Sequence, residues 1–447
     1  MFNIDKKIWN SSYLLMIFGF VLVILVGTFL LMLPISSSSG EMTPFTTALF
    51  TSTSATCVTG LVVVDTGTYF SEFGHSVILM LIQIGGIGII AFLMLFIRLK
   101  DGKIGLRERL HINEVYSSST EKSGIEFIKW VFIITFATEF VGAVLLSIKF
   151  IPQYGFVKGF FYSLFHSISA FNNAGFDLFG GYSSLTSYVG SVYIIIVIMI
   201  LITIGGLGFI TIIDLIMHKR NNKKMLLTTK IVCSVTIILF VVGTLIFAIM
   251  EWKGISFAQL SPIEKIFNSM FLAVTPRTAG FNTVNMSLLT TGSALLVILL
   301  MYIGASPSST GGGLKTTTMV IPILCIISIF KGKEDIEIFG RRISKKLLLK
   351  SLCVISISAF VSFVALIVLS FTENVELKAL IFEVASAINT VGLSLGVTPN
   401  LSTCGRYVII LLMFIGRVGP ITVLMSLSLK NKKTGSIKLV KEDVLIG

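Results

Sequence analysis

Apolar residues in this chain do not alternate with polar ones as on a half-buried strand or helix; they run on without interruption. Charge-free apolar runs cover residues 13–33, 77–97, 231–250 and 351–371, each close to the roughly 20 residues a helix needs to cross a bilayer. Further runs at 130–148, 192–217 and 407–429 complete a set of outgoing and returning crossings. Between each outgoing and returning run lies a shorter segment, at 44–56, 159–169, 262–274 and 377–388. These segments are too short to span. Pro44 and Pro262 open two of them, as suits the first turn of a helix. The third return is divided into apolar runs 293–303 and 319–330, separated by the polar loop 304–318. Non-helical backbone at membrane depth survives only where protein surrounds it or water fills a cavity, so this loop marks a functional place.

One motif follows each short segment. It reads Ala55-Thr56-Cys57-Val58-Thr59-Gly60-Leu61, then Ala170-Phe171-Asn172-Asn173-Ala174-Gly175-Phe176, then Thr275-Pro276-Arg277-Thr278-Ala279-Gly280-Phe281, then Ala387-Ile388-Asn389-Thr390-Val391-Gly392-Leu393. The glycines are 115, 105 and 112 residues apart, far beyond the roughly 20–50 residue period of solenoids and propellers. The expected fold is therefore an all-α integral membrane protein of four parallel membrane-pore-membrane repeats. It would have eight transmembrane helices and four pore helices around a pseudo-fourfold pore. The repeats would occupy residues 1–110, 111–222, 223–340 and 341–447.

Four loops meeting on one axis have a chemical use. A ring of backbone carbonyls replaces the water shell of a cation without any side-chain charge, and glycine permits the backbone angles that turn carbonyls inward. The short helices would aim their partly negative C-termini at the axis, favouring a cation. The candidate filter is Val58, Thr59 and Gly60, Asn173, Ala174 and Gly175, Thr278, Ala279 and Gly280, and Thr390, Val391 and Gly392. A cation would bind at the carbonyls of Gly60, Gly175, Gly280 and Gly392. The bland reading makes each glycine a helix terminator; four in equivalent places weigh against it. The candidate gate is the loop with Gly304, Ser306, Ser308, Gly311, Gly312, Gly313 and Lys315, together with Arg417 in the last return run. Its positive charges would obstruct a cation below the filter.

Composition places the chain in the membrane. It is 54% hydrophobic and 13% charged, too apolar to cover itself with a water-soluble surface. The net charge of +13 would suggest nucleic acid in a soluble protein, but its distribution points elsewhere. Of 35 Lys and Arg, 26 fall in the two termini and in the connections 98–129, 219–230 and 331–350. The positive-inside rule makes these segments, and so both termini, cytoplasmic. The first run follows Lys6 and Lys7 but is longer than the core of a cleaved signal and lacks a cleavage site, so it reads as a retained helix. Five scattered cysteines give neither a disulfide framework nor a metal site.

Several residues need separate readings. Ile84-Gly85-Gly86-Ile87-Gly88 and Ile204-Gly205-Gly206-Leu207-Gly208 lack the strand that a nucleotide fingerprint requires, and small residues for close helix packing are the better account. Gly313-Leu314-Lys315-Thr316 fails the phosphate-loop pattern on spacing and context. Glu139, central in its run, reads as paired or hydrogen-bonded rather than as part of the ion path. His166 reads as a hydrogen-bonded packing residue. Arg277 and Glu383 read as a structural ion pair.

The chain resembles the Trk/Ktr/HKT superfamily of potassium transporters, most of all the KtrB-type membrane subunit. Ser-Ala-Thr-Cys-Val-Thr-Gly-Leu (54–61), Ser-Ala-Phe-Asn-Asn-Ala-Gly-Phe (169–176), Thr-Pro-Arg-Thr-Ala-Gly-Phe-Asn (275–282) and Asn-Thr-Val-Gly-Leu (389–393) carry the likeness. The resemblance implies a filter at the four glycines, with Gly60 on the potassium side of a glycine-or-serine choice. It implies a gating loop matching 304–318 and an arginine matching Arg417. It further implies a homodimer in the bacterial cytoplasmic membrane, resting on a cytosolic ring of nucleotide-binding, KtrA-type regulatory subunits. No cofactor is expected; potassium is the cargo and sodium an activator or co-ion. The rival is a sodium-coupled alternating-access carrier, although such carriers commonly use inverted repeats. Four histidines without a catalytic motif argue against a membrane enzyme.

Overall fold

The computed structural model describes residues 12–88, 121–221, 224–420 and 422. The first basic connection up to residue 120, the N-terminal residues 1–11, and the first and fourth return runs beyond residues 88 and 422 lie outside the described residues. Four rounds of helices follow one another. The first comprises α1 (Ser12–Met32), α2 (Phe45–Thr56) and α3 (Glu72–Ile87). The second comprises α4 (Glu121–Tyr154), α5 (Phe156–Phe171), α6 (Val192–Leu207) and α7 (Phe209–Asn221). The third comprises α8 (Leu227–Glu251), α9 (Pro262–Val274), α10 (Thr291–Tyr302) and α11 (Thr316–Phe330). A hairpin of β1 (Ile336–Ile338) and β2 (Arg341–Ile343) leads to α12 (Lys345–Thr372), α13 (Leu377–Ile388) and α14 (Thr403–Val418).

The opening helix of each round, α1, α4, α8 and α12, is long and apolar enough to cross a membrane. Their outer faces leave Phe29, Phe140, Ile249 and Phe360 between 65% and 79% exposed. Apolar surface on that scale suits acyl chains rather than water.

In the first three rounds the short helix leans on its long partner through small residues, as in membranes generally. A side chain at Gly27 would strike Ser52 Oγ, and one at Gly142 would strike Ser167 Oγ. At the same contacts Ser52 Oγ donates to Ile24 O and Ser167 Oγ to Glu139 O, both at 2.7 Å. In the third round Gly243 meets Ala273 instead. Three of the return helices begin at hydroxyl caps: Ser71, Thr290 and Ser402 accept from Gly74 N–H, Ser293 N–H and Gly405 N–H. Glu251, the last residue of α8, accepts from Thr290 N–H at 2.9 Å. Glu373, just past α12, accepts from Ser402 N–H at 3.1 Å. In both rounds one carboxylate ties the end of the long helix to the start of the return.

The return helices differ from the sequence reading, which broke only the third. α6 stops at Leu207, and α7 leaves at 93° across Gly208, whose φ is 87°. α3 ends at Gly88 with φ 94°, and α14 at Gly419 with φ 92°. The glycine that ends each helix lies three residues after a packing glycine: Gly85 and Gly88, Gly205 and Gly208, Gly416 and Gly419. Side chains at Gly85, Gly205 and Gly416 would collide with the carbonyls of Thr56, Phe171 and Ile388. Those carbonyls close α2, α5 and α13, so the return helices pack backbone to backbone on the short-helix ends.

Candidate functional site

The site is built where the short helices stop. In three rounds the stop is a Schellman cap. Val58 N–H donates to Ala55 O at 3.1 Å and Thr59 N–H to Ser54 O at 2.8 Å. Asn173 with Ala174, and Thr390 with Val391, repeat both bonds. The left-handed residue of the cap is the non-glycine Val58 (φ 56°), Asn173 (φ 58°) or Thr390 (φ 50°), with Thr278 (φ 72°) in the third round. In these three rounds both cap bonds are donated by the two residues before the motif glycine, so helix termination does not require Gly60, Gly175 or Gly392.

The close approach between rounds does account for them. All four have positive φ, at 93°, 69°, 80° and 95°. An added Cβ on Gly60 would sit 3.2 Å from Gly175 Cα, and one on Gly175 would sit 2.9 Å from Gly280 Cα. From Gly280 the distance to Gly392 Cα is 3.3 Å, and from Gly392 to Gly60 Cα it is 3.1 Å. The carbonyls of Ala174, Ala279, Val391 and Thr59 in turn lie closer still to those positions. The contacts run from one round to the next and return to the first, so Gly60, Gly175, Gly280 and Gly392, each with the residue before it, form one closed ring.

Hydroxyls behind the ring hold it. Ser54 Oγ accepts from Gly60 N–H at 3.1 Å, and Ser386 Oγ from Gly392 N–H at 3.0 Å. Ser169 Oγ donates to Phe176 O at 2.7 Å, and Thr275 Oγ1 donates to Phe281 O. In each stretch a positive φ at the cap residue and at the glycine brackets a residue outside the left-handed set. Gly60, Gly175, Gly280 and Gly392 also line one cavity of about 1120 Å³, shared with Asp177, Asn282 and Ser394.

The candidate gate lies against the stretches that carry the ring. Gly312 N–H donates to Thr390 Oγ1 at 3.1 Å, and Leu314 N–H to Asn389 Oδ1 at 3.4 Å. Side chains at Gly304 and Gly311 would meet Thr278, one at Gly312 would meet Thr390, and one at Gly313 would meet Asn389. Lys315 Nζ donates back to Gly311 O at 2.7 Å and Gly312 O at 3.4 Å. Arg417 donates to Thr310 O and Gly85 O, and to Gly86 O at 3.4 Å. It therefore joins the fourth return helix to the loop and to the first return helix. Ser306 N–H donates to Gly206 O at 3.0 Å, and Phe209 N–H to Ser308 O at 2.9 Å, so the loop also rests on the break between α6 and α7. A cavity of about 330 Å³ adjoins Ser308, Gly311, Gly313, Lys315 and Arg417. Of the candidate gate residues, Gly304, Gly311, Gly312 and Gly313 touch Thr278, Asn389 or Thr390, while Ser306, Ser308, Lys315 and Arg417 hold the loop to itself and to the return helices.

Other sequence readings fare unequally. Glu139 accepts from Gln83 Nε2 at 2.9 Å and from Asn172 Nδ2 at 2.8 Å. It thus anchors the residue before the second filter stretch, and its two partners were missed. His166 is fully buried between Tyr162 O at 2.7 Å and Leu178 N–H at 3.3 Å. The Arg277–Glu383 pair is not formed. Glu383 accepts from Ser394 Oγ at 2.7 Å and from Thr398 Oγ1, both in its own round. Arg277 extends away toward α8, where Nη2 lies 3.4 Å from Thr236 Oγ1. The turn after α9, which no hydropathy pattern specifies, sets that direction.

Comparison with known proteins adds independent findings. The TrkH family model, described as "Cation transport protein", matches residues 8–436. The chain is 42% identical over 409 residues to the Ktr system potassium uptake protein B of Bacillus subtilis, covering 91% of each. It is 40% identical over 434 residues to the potassium/sodium uptake protein NtpJ of Enterococcus hirae, covering 96% of each. Its fold resembles the crystal structure of the potassium transporter TrkH from Vibrio parahaemolyticus, with a TM-score of 0.72 and 19% identity over 94% of this chain and 85% of that one.

Proposed function

Because this chain belongs to the TrkH family of cation transport proteins, membrane transporters rather than enzymes, we propose that it carries potassium into a bacterial cell. The ion path is the axis of four parallel repeats, through the ring at Gly60, Gly175, Gly280 and Gly392. The observation that carries this reading is the closed circuit of close approaches among those four glycines. Potassium sheds its water in the large cavity and is held by main-chain oxygens. It then meets the 304–318 loop, where Lys315 and Arg417 keep positive charge below the ring until the loop shifts. The names of the Bacillus and Enterococcus relatives, which specify potassium uptake and potassium/sodium uptake, support the cargo and the part of sodium.

The basic segments facing the cytoplasm are the natural seat for a KtrA-type nucleotide-binding ring, on which a homodimer of this chain would rest. The test is potassium uptake in a transport-deficient bacterium, comparing the intact chain with Gly280→Ser at matched membrane abundance. The intact chain restores growth at low potassium, and the variant loses potassium preference over sodium. Unchanged preference would remove Gly280 from the filter. The sodium in the Enterococcus relative's name keeps a second reading in play, an alternating-access carrier coupled to sodium. A fixed sodium-to-potassium stoichiometry at low turnover would select it.

A further inference from the structure

We propose that a cleft between α6, α8 and α9 binds the carboxylate of a single-chain lipid, a long-chain fatty acid drawn from the bilayer, with Arg277 as its counter-ion. The cleft has a volume of about 330 Å³ and almost wholly apolar walls, including Leu207, Phe240 and Val274, more than twice the size of a cavity that admits benzene. Ile200 and Ile237 line it and are 51% and 62% exposed on the apolar faces of α6 and α8. The cleft therefore opens to acyl chains rather than to water.

Arg277 is the one charged group on its lining. Its Nε is closed off from solvent without any acceptor, and its Nη2 makes a 3.4 Å contact to Thr236 Oγ1. Ion pairs among the described residues join Lys333 to Glu337 and Arg342 to Asp335, and none reaches Arg277. The C-terminal dipole of α9 compensates only part of a charge at that depth. An apolar cleft with one unmet guanidinium is complementary to an alkyl chain ending in an anion.

Depth selects a fatty acid over a phospholipid. Thr236 is nine residues along α8 from Leu227, the end that the positive-inside rule places at the cytoplasm, or about 14 Å at 1.5 Å per residue. A phospholipid would have to carry a bulky polar head and two chains that far into hydrocarbon; a fatty acid brings only its carboxylate. Arg277 immediately precedes Thr278 of the ring, and Ala305 of the 304–318 loop shares the cleft. Pairing would thus neutralise a positive charge behind the third filter stretch while filling space beside the loop.

The test uses the purified full-length chain in nanodiscs of zwitterionic lipid, titrated with oleate, methyl oleate and phosphatidylglycerol. One oleate per chain is expected, with methyl oleate and the Arg277→Gln variant each at least about tenfold weaker, a difference of about 1.4 kcal/mol. Ile237→Trp, which narrows the mouth without touching the charge, should weaken oleate to a similar degree while the protein keeps its elution volume. Methyl oleate binding as tightly as oleate overturns the proposal, and so does displacement of oleate by phosphatidylglycerol. Unchanged oleate binding in Ile237→Trp overturns it even if Arg277→Gln does not fold. Because the readout is binding, its failure leaves the potassium reading untouched.

Discussion

Val58 is β-branched yet stands at φ 56°, a conformation that costs of the order of 1–3 kcal/mol and persists only where its surroundings impose it. The imposing groups are the helix cap before it and the ring after it. At this scale each glycine is fixed by an atom from another repeat. Gly392→Ala should therefore lower potassium uptake at least tenfold, because the added methyl meets Thr59 O at a backbone angle that alanine resists. Wild-type uptake by that variant, measured as rubidium flux per copy in vesicles, would show the ring is not as tight as described. Ser54→Ala and Ser386→Ala each remove one hydrogen bond to a filter N–H, worth about 1 kcal/mol. Both should reduce potassium-over-sodium preference while leaving abundance near normal; an unaltered preference would make these hydroxyls packing groups. The glycines were legible in the sequence because the motif recurs four times. The direction of Arg277 was not, because one turn of irregular backbone decides it.

Among elements, the return helices are the ones the hydropathy pattern describes least well. The break in the third was legible because its loop is polar. The break at Gly208 was not, because apolar residues flank it and the freed backbone finds partners inside the protein, Phe209 N–H on Ser308 O among them. The spacing of Gly205 with Gly208, and of Gly416 with Gly419, was the available signal. Arg417 follows Gly416 just as Gly86 follows Gly85 and Gly206 follows Gly205, so the fourth repeat places a guanidinium where the first and second have no side chain. Two predictions follow for the proposed gate. Deleting Gly311, Gly312 and Gly313 should raise basal flux severalfold in vesicles without any regulatory partner; a shortened loop no leakier than wild type would count against a gate there. Arg417→Ala should act in the same direction, since it releases Thr310 O and Gly85 O together. Reduced flux would instead make Arg417 a helix tie.

Over the whole molecule, the order of long, short and return helices follows from length and hydropathy, because a bilayer admits few other solutions for such a chain. Which loops meet whom does not follow from hydropathy; the close approaches among Gly60, Gly175, Gly280 and Gly392 are seen only in the folded chain. The account rests on main-chain oxygens from all four repeats surrounding one dehydrated ion. The most direct measurement is anomalous diffraction from crystals of the full-length protein grown in rubidium. A peak enclosed by Gly60, Gly175, Gly280 and Gly392, and weakened in Gly280→Ser, is the expected result. A bound rubidium found elsewhere in a chain that still transports it, with the ring empty, would contradict the account.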